Sequence, residues 1–269
     1  MTEQKKSYTQ TLKSFSSTFW VGNLLQLTER WAYFSIFSLL ALYLVAGTDE
    51  GGLGLTHIQK GNIMAHITAI LYLLPLFFGV IADRIGYKLS LLISCIIMGA
   101  GYYLMSVASS YWDTYFAFLL ASVGCSFFRP VVQGIIARHT DEENSTLGFG
   151  FFYMMGNIGG LLGPAMSSYL RTTMGWKVIF IQAVVVIIFN LIVILFFYKE
   201  PKAERKYNIP LLTEIKGSVQ NIVGALKDKK LTILLLLMVG FWTVFNQLFY
   251  TLPNFIEDWV DSSKQSDWI

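Results

Sequence analysis

Charge is scarce in this sequence: Asp, Glu, Lys and Arg make up only 14% of its 269 residues, against about a quarter in soluble domains. Cysteine and histidine are scarcer, at two and three residues. Cys95 and Cys125 both fall in apolar stretches, where thiols behave as small hydrophobes. Neither a disulfide framework nor a metal site is expected. No nucleophile beside a base and no phosphate-binding loop stands out, so neither an enzyme nor a cofactor is indicated. The first fourteen residues, Met1 to Ser14, carry Lys5, Lys6 and Lys13 but no apolar core or small-residue cleavage pattern, so no removable signal peptide is expected. Alternating strand patterns are missing too, which argues against a barrel.

What the chain has instead is 54% hydrophobic residues and a mean hydropathy of +0.54. Those values place it among integral membrane proteins. Seven segments are long enough to cross ~30 Å of hydrocarbon at ~1.5 Å per residue: 17–46, 61–83, 88–108, 113–138, 146–170, 176–198 and 231–256. The predicted fold class is all-α, a polytopic transmembrane helical bundle. Short connections, Ser109–Trp112 and Arg171–Gly175, join neighbouring helices, and His57 and His139 are expected in loops. Residues 199–230 break the rhythm with a polar stretch and then Leu212, Ile215, Val219, Ile222, Val223 and Leu226 at helical spacing. A one-sided stripe of this kind suits an amphipathic helix along the inner membrane surface.

Basic residues set the orientation. With the N-terminus inside, fourteen of the twenty fall on the cytoplasmic side: Lys5, Lys6, Lys13, Arg84, Lys88, Arg138 and eight from Lys199 to Lys230. Lys60, Arg171, Lys177 and Lys264 fall outside, while Arg30 and Arg129 lie within the membrane. Topology therefore accounts for the net charge of +3 and gives no reason to invoke nucleic acid. A plasma (inner) membrane location with a cytoplasmic N-terminus is expected.

Two ionisable residues, Glu29 and Arg30, sit in the middle of the first apolar segment. A charge there costs several kcal/mol unless it faces the bundle interior or water. Helical spacing puts Gln26, Glu29, Arg30 and Tyr33 on neighbouring sides of one face. Counting from the cytoplasmic ends, Glu29, Arg129, Asn157 and Asn246 lie roughly 13–23 Å into the core. They are expected to converge on one midplane cavity.

Gly79-Val-Ile-Ala-Asp83-Arg84-Ile-Gly86-Tyr-Lys88 resembles the signature loop of the major facilitator superfamily, Gly-x-x-x-Asp-Arg-x-Gly-x-Arg/Lys, at every defined position. The resemblance implies two six-helix halves with the site between them, and a gating role for Gly79, Asp83, Arg84, Gly86 and Lys88. It divides the chain into a six-helix bundle at 1–198, a cytoplasmic linker at 199–230, and the first helix of a missing C-terminal half at 231–269. The chain thus reads as truncated after its seventh helix.

Gln26-Leu-Thr-Glu29-Arg30-Trp31-Ala-Tyr33-Phe34 resembles the first-helix Glu-x-x-Glu-Arg-Phe-x-Tyr-Tyr of proton-dependent oligopeptide transporters. Tyr72-Leu-Leu-Pro75, Gly124-Cys-Ser-Phe-Phe-Arg129-Pro130, Phe152-Tyr153-Met-Met-Gly-Asn157-Ile-Gly159 and Phe241-Trp242-Thr-Val-Phe-Asn246-Gln247 are similar, in order, to motifs of its second, fourth, fifth and seventh helices. The resemblance implies proton-coupled uptake of di- or tripeptides or a related small carboxylate, with protons, substrate and membrane lipid as partners. Glu29, Arg30 and Arg129 would handle the proton. Gln26, Tyr33, Tyr72, Arg129, Asn157, Trp242 and Asn246 would line the substrate site.

The chain departs from the family at charged positions. Gln26 and Asn246 stand where the family has glutamates, and Arg129 where it has lysine, which unlike arginine can release its proton in proteins. Glu29 is left as the one candidate proton carrier. Gly159-x-x-x-Gly163-Pro164 also resembles the fifth-helix motif of drug/proton antiporters, the alternative to which a non-transporting fragment is added.

Overall fold

The computed structural model describes residues 8–200 and 210–260. Lys5, Lys6, Lys202, Arg205, Lys206 and Lys264, counted above for orientation, lie outside the described residues, as does the end of the chain at Trp268 and Ile269. Among the described residues every regular element is an α-helix: α1 (Tyr8–Ser14), α2 (Ser17–Val45), α3 (His57–Leu73), α4 (Pro75–Ile85), α5 (Tyr87–Val107), α6 (Tyr111–Arg138), α7 (Ser145–Met174), α8 (Trp176–Phe196), α9 (Leu211–Ala225), α10 (Lys229–Tyr250) and α11 (Leu252–Trp259).

Four of these helices, α5, α6, α8 and α10, are individually long and apolar enough to cross a membrane, and α3 with α4 makes a fifth, bent span. The predicted single helix over 61–83 is corrected here. Pro75 cannot donate an amide hydrogen to the preceding turn, and the axis turns by 45° between α3 and α4. The segment at 231–256 is likewise two helices, broken at Thr251 ahead of Pro253. Two connections also differ: α7 runs on through Arg171 to Met174, and His57 opens α3 rather than lying in a loop. The amphipathic stretch forms α9, which takes in the stripe from Leu212 to Val223 and is capped by Leu226.

Packing follows small residues. Gly159 and Gly163 of α7 lie against the backbone of α2, so that a Cβ at either would strike Trp31 or Ser35 main-chain atoms. Ser35 Oγ donates to the Gly163 carbonyl at 3.2 Å across this seam. Gly124 of α6 meets the backbone of Met98 on α5 in the same way. Helices that must associate in lipid gain mainly from such close contact, because lipid tails are as apolar as leucine. The resulting core is centred on α2, α5, α6 and α8, and α10 contributes no buried residue to it.

Candidate functional site

Near the centre of α2 the Glu29 side chain is fully buried. The guanidinium of Arg30 takes both of its oxygens: Nε donates to Oε2 at 2.6 Å and Nη2 to Oε1 at 2.8 Å. Adjacent residues on a helix point ~100° apart, and the pair closes only because both side chains are long. Arg129, from α6, approaches to 3.9 Å of Glu29 Oε1, beyond hydrogen-bond reach. Its Nε and Nη2 are buried without a hydrogen-bond partner among the described residues.

Tyr33 lies one turn along α2 and shares its ring between the two cations, 5.0 Å from Arg30 and 4.6 Å from Arg129. Cation–π contacts of this kind soften the cost of holding two guanidiniums in one site. The same ring stacks on Phe37 at 5.0 Å, and Phe37 meets Phe249 and Tyr250 of α10 at 5.6 and 5.7 Å. The charge cluster and the seventh membrane segment are thereby joined through aromatic rings. Gln26 is part-buried beside Gly156 of α7.

The remaining expected lining residues are not drawn into this cluster. Tyr72, Asn157 and Trp242 are exposed, and Asn246 is half-buried. No hydrogen bond links any of these four to Glu29, Arg30 or Arg129 among the described residues. Depth along the helix axis was legible from the sequence, but helix rotation was not.

At the other end of α4 the signature residues form a dense network. Asp83 Oδ1 accepts from Arg138 at 2.8 Å and from the Tyr87 hydroxyl at 2.9 Å. Arg84 binds Glu214 of α9 through Nε and Nη2 at 2.8 and 2.6 Å. Gly86 turns the chain at a φ of 97°, in the left-handed region that favours glycine. Lys88 donates from Nζ to the Leu195 and Tyr198 carbonyls at the end of α8, while Glu200 accepts from the Tyr87 and Lys88 amides at the start of α5. Each of these two helix ends thus carries a charge of the sign that its dipole favours. Gly79 sits near Pro130 of α6, where a Cβ would find ordinary contact.

A third cluster escaped the sequence reading. Lys60, counted above only as a charge outside the membrane span, is buried in the first turn of α3. Its Nζ donates to Asn254 Oδ1 at 2.7 Å and to the Tyr250 carbonyl at 3.3 Å. Asn254 in turn donates to the Ala41 carbonyl at 3.3 Å, and the Tyr250 hydroxyl bonds Thr68. These bonds clamp the α10–α11 break onto α2 and α3. Contacts between residues some 190 positions apart leave no local signature.

Comparison with known proteins places this architecture. The "Peptide transporter YePEPT" of Yersinia enterocolitica is 28% identical over 157 residues, covering 56% of this chain and 30% of that protein. The "Na(+), Li(+), K(+)/H(+) antiporter" of Planococcus maritimus is 25% identical over 266 residues, covering 93% and 59%. The chain therefore spans less than two thirds of the length of either relative. Among solved structures, a POT family transporter in complex with a thioalcohol-conjugated peptide shares the fold, with a TM-score of 0.66 at 22% identity over 89% of this chain and 52% of that one. The family model for the Major Facilitator Superfamily matches residues 19–259, and with that match spanning the described bundle, the chain belongs to this superfamily of integral membrane proteins.

Proposed function

We propose that this chain supplies one wall of a secondary transporter that takes up di- or tripeptides, or a related small carboxylate, by proton-coupled alternating access. The observation that carries the reading is the open edge of Arg129. Both oxygens of Glu29 accept from Arg30 while Arg129 stays 3.9 Å away, and the buried Nε and Nη2 of Arg129 make no hydrogen bond among the described residues. That edge of a guanidinium matches a carboxylate in bidentate geometry. With one acid and two arginines, the cluster carries one positive charge more than it can neutralise, and an incoming carboxylate relieves the imbalance.

Glu29 is the proton carrier in this scheme. When it takes a proton its bidentate pair with Arg30 weakens, leaving both guanidiniums to the substrate carboxylate. When it releases the proton the pair re-forms and the substrate is let go. Tyr33 holds the two cations in register, and Gln26, Tyr72, Asn157, Trp242 and Asn246 line the route. The loop residues Gly79, Asp83, Arg84, Gly86 and Lys88 gate the cytoplasmic end. The division into a bundle at 1–198, a linker at 199–230 and the first helix of a second half at 231–269 belongs to this reading. So do the plasma (inner) membrane location, the cytoplasmic N-terminus, and partnership with lipid and a second helical half. No catalytic chemistry is required.

The test is uptake of a labelled dipeptide by the complete protein, both helical halves together, in proteoliposomes with and without an inward proton gradient. Gradient-driven uptake that Glu29→Gln uncouples supports the reading, and a Glu29→Gln variant still driven by the gradient removes Glu29 from the coupling role. A second reading, proton-linked antiport of drugs or other small molecules, rests on Gly159-x-x-x-Gly163-Pro164 and on the Planococcus relative. Packing of both glycines on α2 explains them without antiport. Gradient-driven extrusion of a cationic dye with no peptide uptake favours that reading. Transport of neither is the outcome for a non-transporting fragment.

A further inference from the structure

The helix α9 carries more than a connection requires. At ~100° per residue, Leu211, Ile215, Val219, Ile222, Leu226 and Val223 fall within one ~120° arc. Five of these six, all but Ile215, are exposed large hydrophobic side chains. Lys216 and Lys227 lie just beyond one edge of the arc, and Glu214 lies ~60° beyond the other. Glu214 is the residue that binds Arg84 of the signature loop, at 2.6 Å. The helix therefore has a protein-facing edge, an apolar face with no protein over it among the described residues, and a basic edge. α10, an apolar span, begins at Lys229, four residues after α9 ends, which holds α9 at the membrane boundary. From Leu211 to Lys230 four lysines, Lys216, Lys227, Lys229 and Lys230, oppose two acids, Glu214 and Asp228.

We propose that α9 docks its apolar face into the leaflet at the signature-loop end, selected for anionic phospholipid, and that Glu214 then fixes the position of the loop through Arg84. Apolar burial supplies the attachment and the lysines supply the lipid preference, because they snorkel to the headgroups from the edge of the stripe. The surface charge of the bilayer thus reaches Arg84 by way of one helix and one ion pair. Glu214→Gln is expected to free the loop while leaving the helix docked.

The test uses the full chain in nanodiscs, with a nitroxide on Val219→Cys or, as the polar-edge control, on Gln220→Cys. The native Cys95 and Cys125 are buried, which keeps background labelling low. In bilayers of one part phosphatidylglycerol to three parts phosphatidylethanolamine, the Val219 label should meet oxygen several-fold more often than a water-soluble nickel chelate. The Gln220 label should show the reverse. Changing the bilayer to phosphatidylcholine, or introducing Lys216→Glu with Lys227→Glu, should reduce the Val219 contrast several-fold. A Val219 label open to the nickel chelate overturns docking, as does a label shielded from both reagents, which would mean that protein covers the face. Equal depth in all lipids overturns the anionic preference. For the link to the loop, the spin–spin distance between Gln220→Cys and Leu89→Cys, the latter exposed beside Lys88 of the signature loop, should broaden in Glu214→Gln with the Val219 depth kept. An unchanged distance distribution overturns the link. Symmetric bilayers make every arm independent of which end faces the cytoplasm, so failure of the orientation in the transport reading leaves this result standing.

Discussion

The bundle of α2 to α8 and the seventh membrane segment α10 are both built from largely apolar sequence but sit in the molecule very differently. In the bundle, glycines bring backbones together and leave Glu29, Leu25 and Phe128 fully buried. α10 buries none of its residues. Its C-terminal end is held by the Lys60–Asn254 clamp and the rings of Phe249 and Tyr250, and a groove of about 790 Å³ between Ser38, Leu42, Pro164 and Leu252 stays open alongside it. Apolarity puts a helix in the membrane, whereas small residues and a few polar bonds decide whether it joins a core.

The sharpest way to break the bundle is at Glu29, its one buried acid among the described residues. Glu29→Gln leaves Arg30 and Arg129 both without a counter-charge, and a loss of about 3–5 kcal/mol is expected, read as a fall in the unfolding midpoint in detergent. Gly159→Leu attacks the α2–α7 seam directly. Because its side chain must displace the backbone of α2, a loss of about 1–3 kcal/mol or more is expected, again measured by thermal unfolding.

The seventh segment should respond locally. Lys60→Met leaves Asn254 and the Tyr250 carbonyl short of a donor, with an expected cost of about 1–3 kcal/mol confined to the α10–α11 end. Hydrogen exchange should accelerate there and stay unchanged in α6. Equal acceleration in both would show that the two regions are one cooperative unit. Arg129→Met is expected to leave stability unchanged or raise it, because it removes the cluster's excess positive charge while Glu29 keeps its bidentate pair with Arg30, and dipeptide binding measured by calorimetry is lost. Trp242→Ala should move the unfolding free energy by no more than about 0.5 kcal/mol, since that side chain is exposed.

The distribution of legible features follows from range. α9 and the ends of α5, α6 and α8 were readable within two residues because hydropathy and amphipathic spacing act over one or two turns. The breaks at Leu74 and Thr251 were missed although Pro75 and Pro253 mark them: Leu74 lies inside an unbroken apolar run, and Thr251 inside a segment that is apolar enough overall to read as one span. Glu29 and Arg129 were placed together by depth, and they do meet. Asn157 and Asn246 have comparable depths but stand outside the hydrogen-bonded cluster, because depth fixes one coordinate and rotation about the helix axis fixes the other. Lys60 was counted only as a charge outside the span, and its burial was missed because its partners, Tyr250 and Asn254, are far along the chain.

The sequence by itself therefore determined that the chain is a bundle of membrane helices with a superfamily signature loop, and that a single acid stands among arginines in its interior. Composition and spacing are local sums, so they survive without coordinates. Tertiary structure alone decided that Glu29 spends both oxygens on its neighbour Arg30, leaving the Arg129 edge open, and that Arg84 reaches the linker helix. Those choices depend on how far each helix is rotated and how closely it approaches the next. Side chains on both partners set that geometry, and no single segment encodes it.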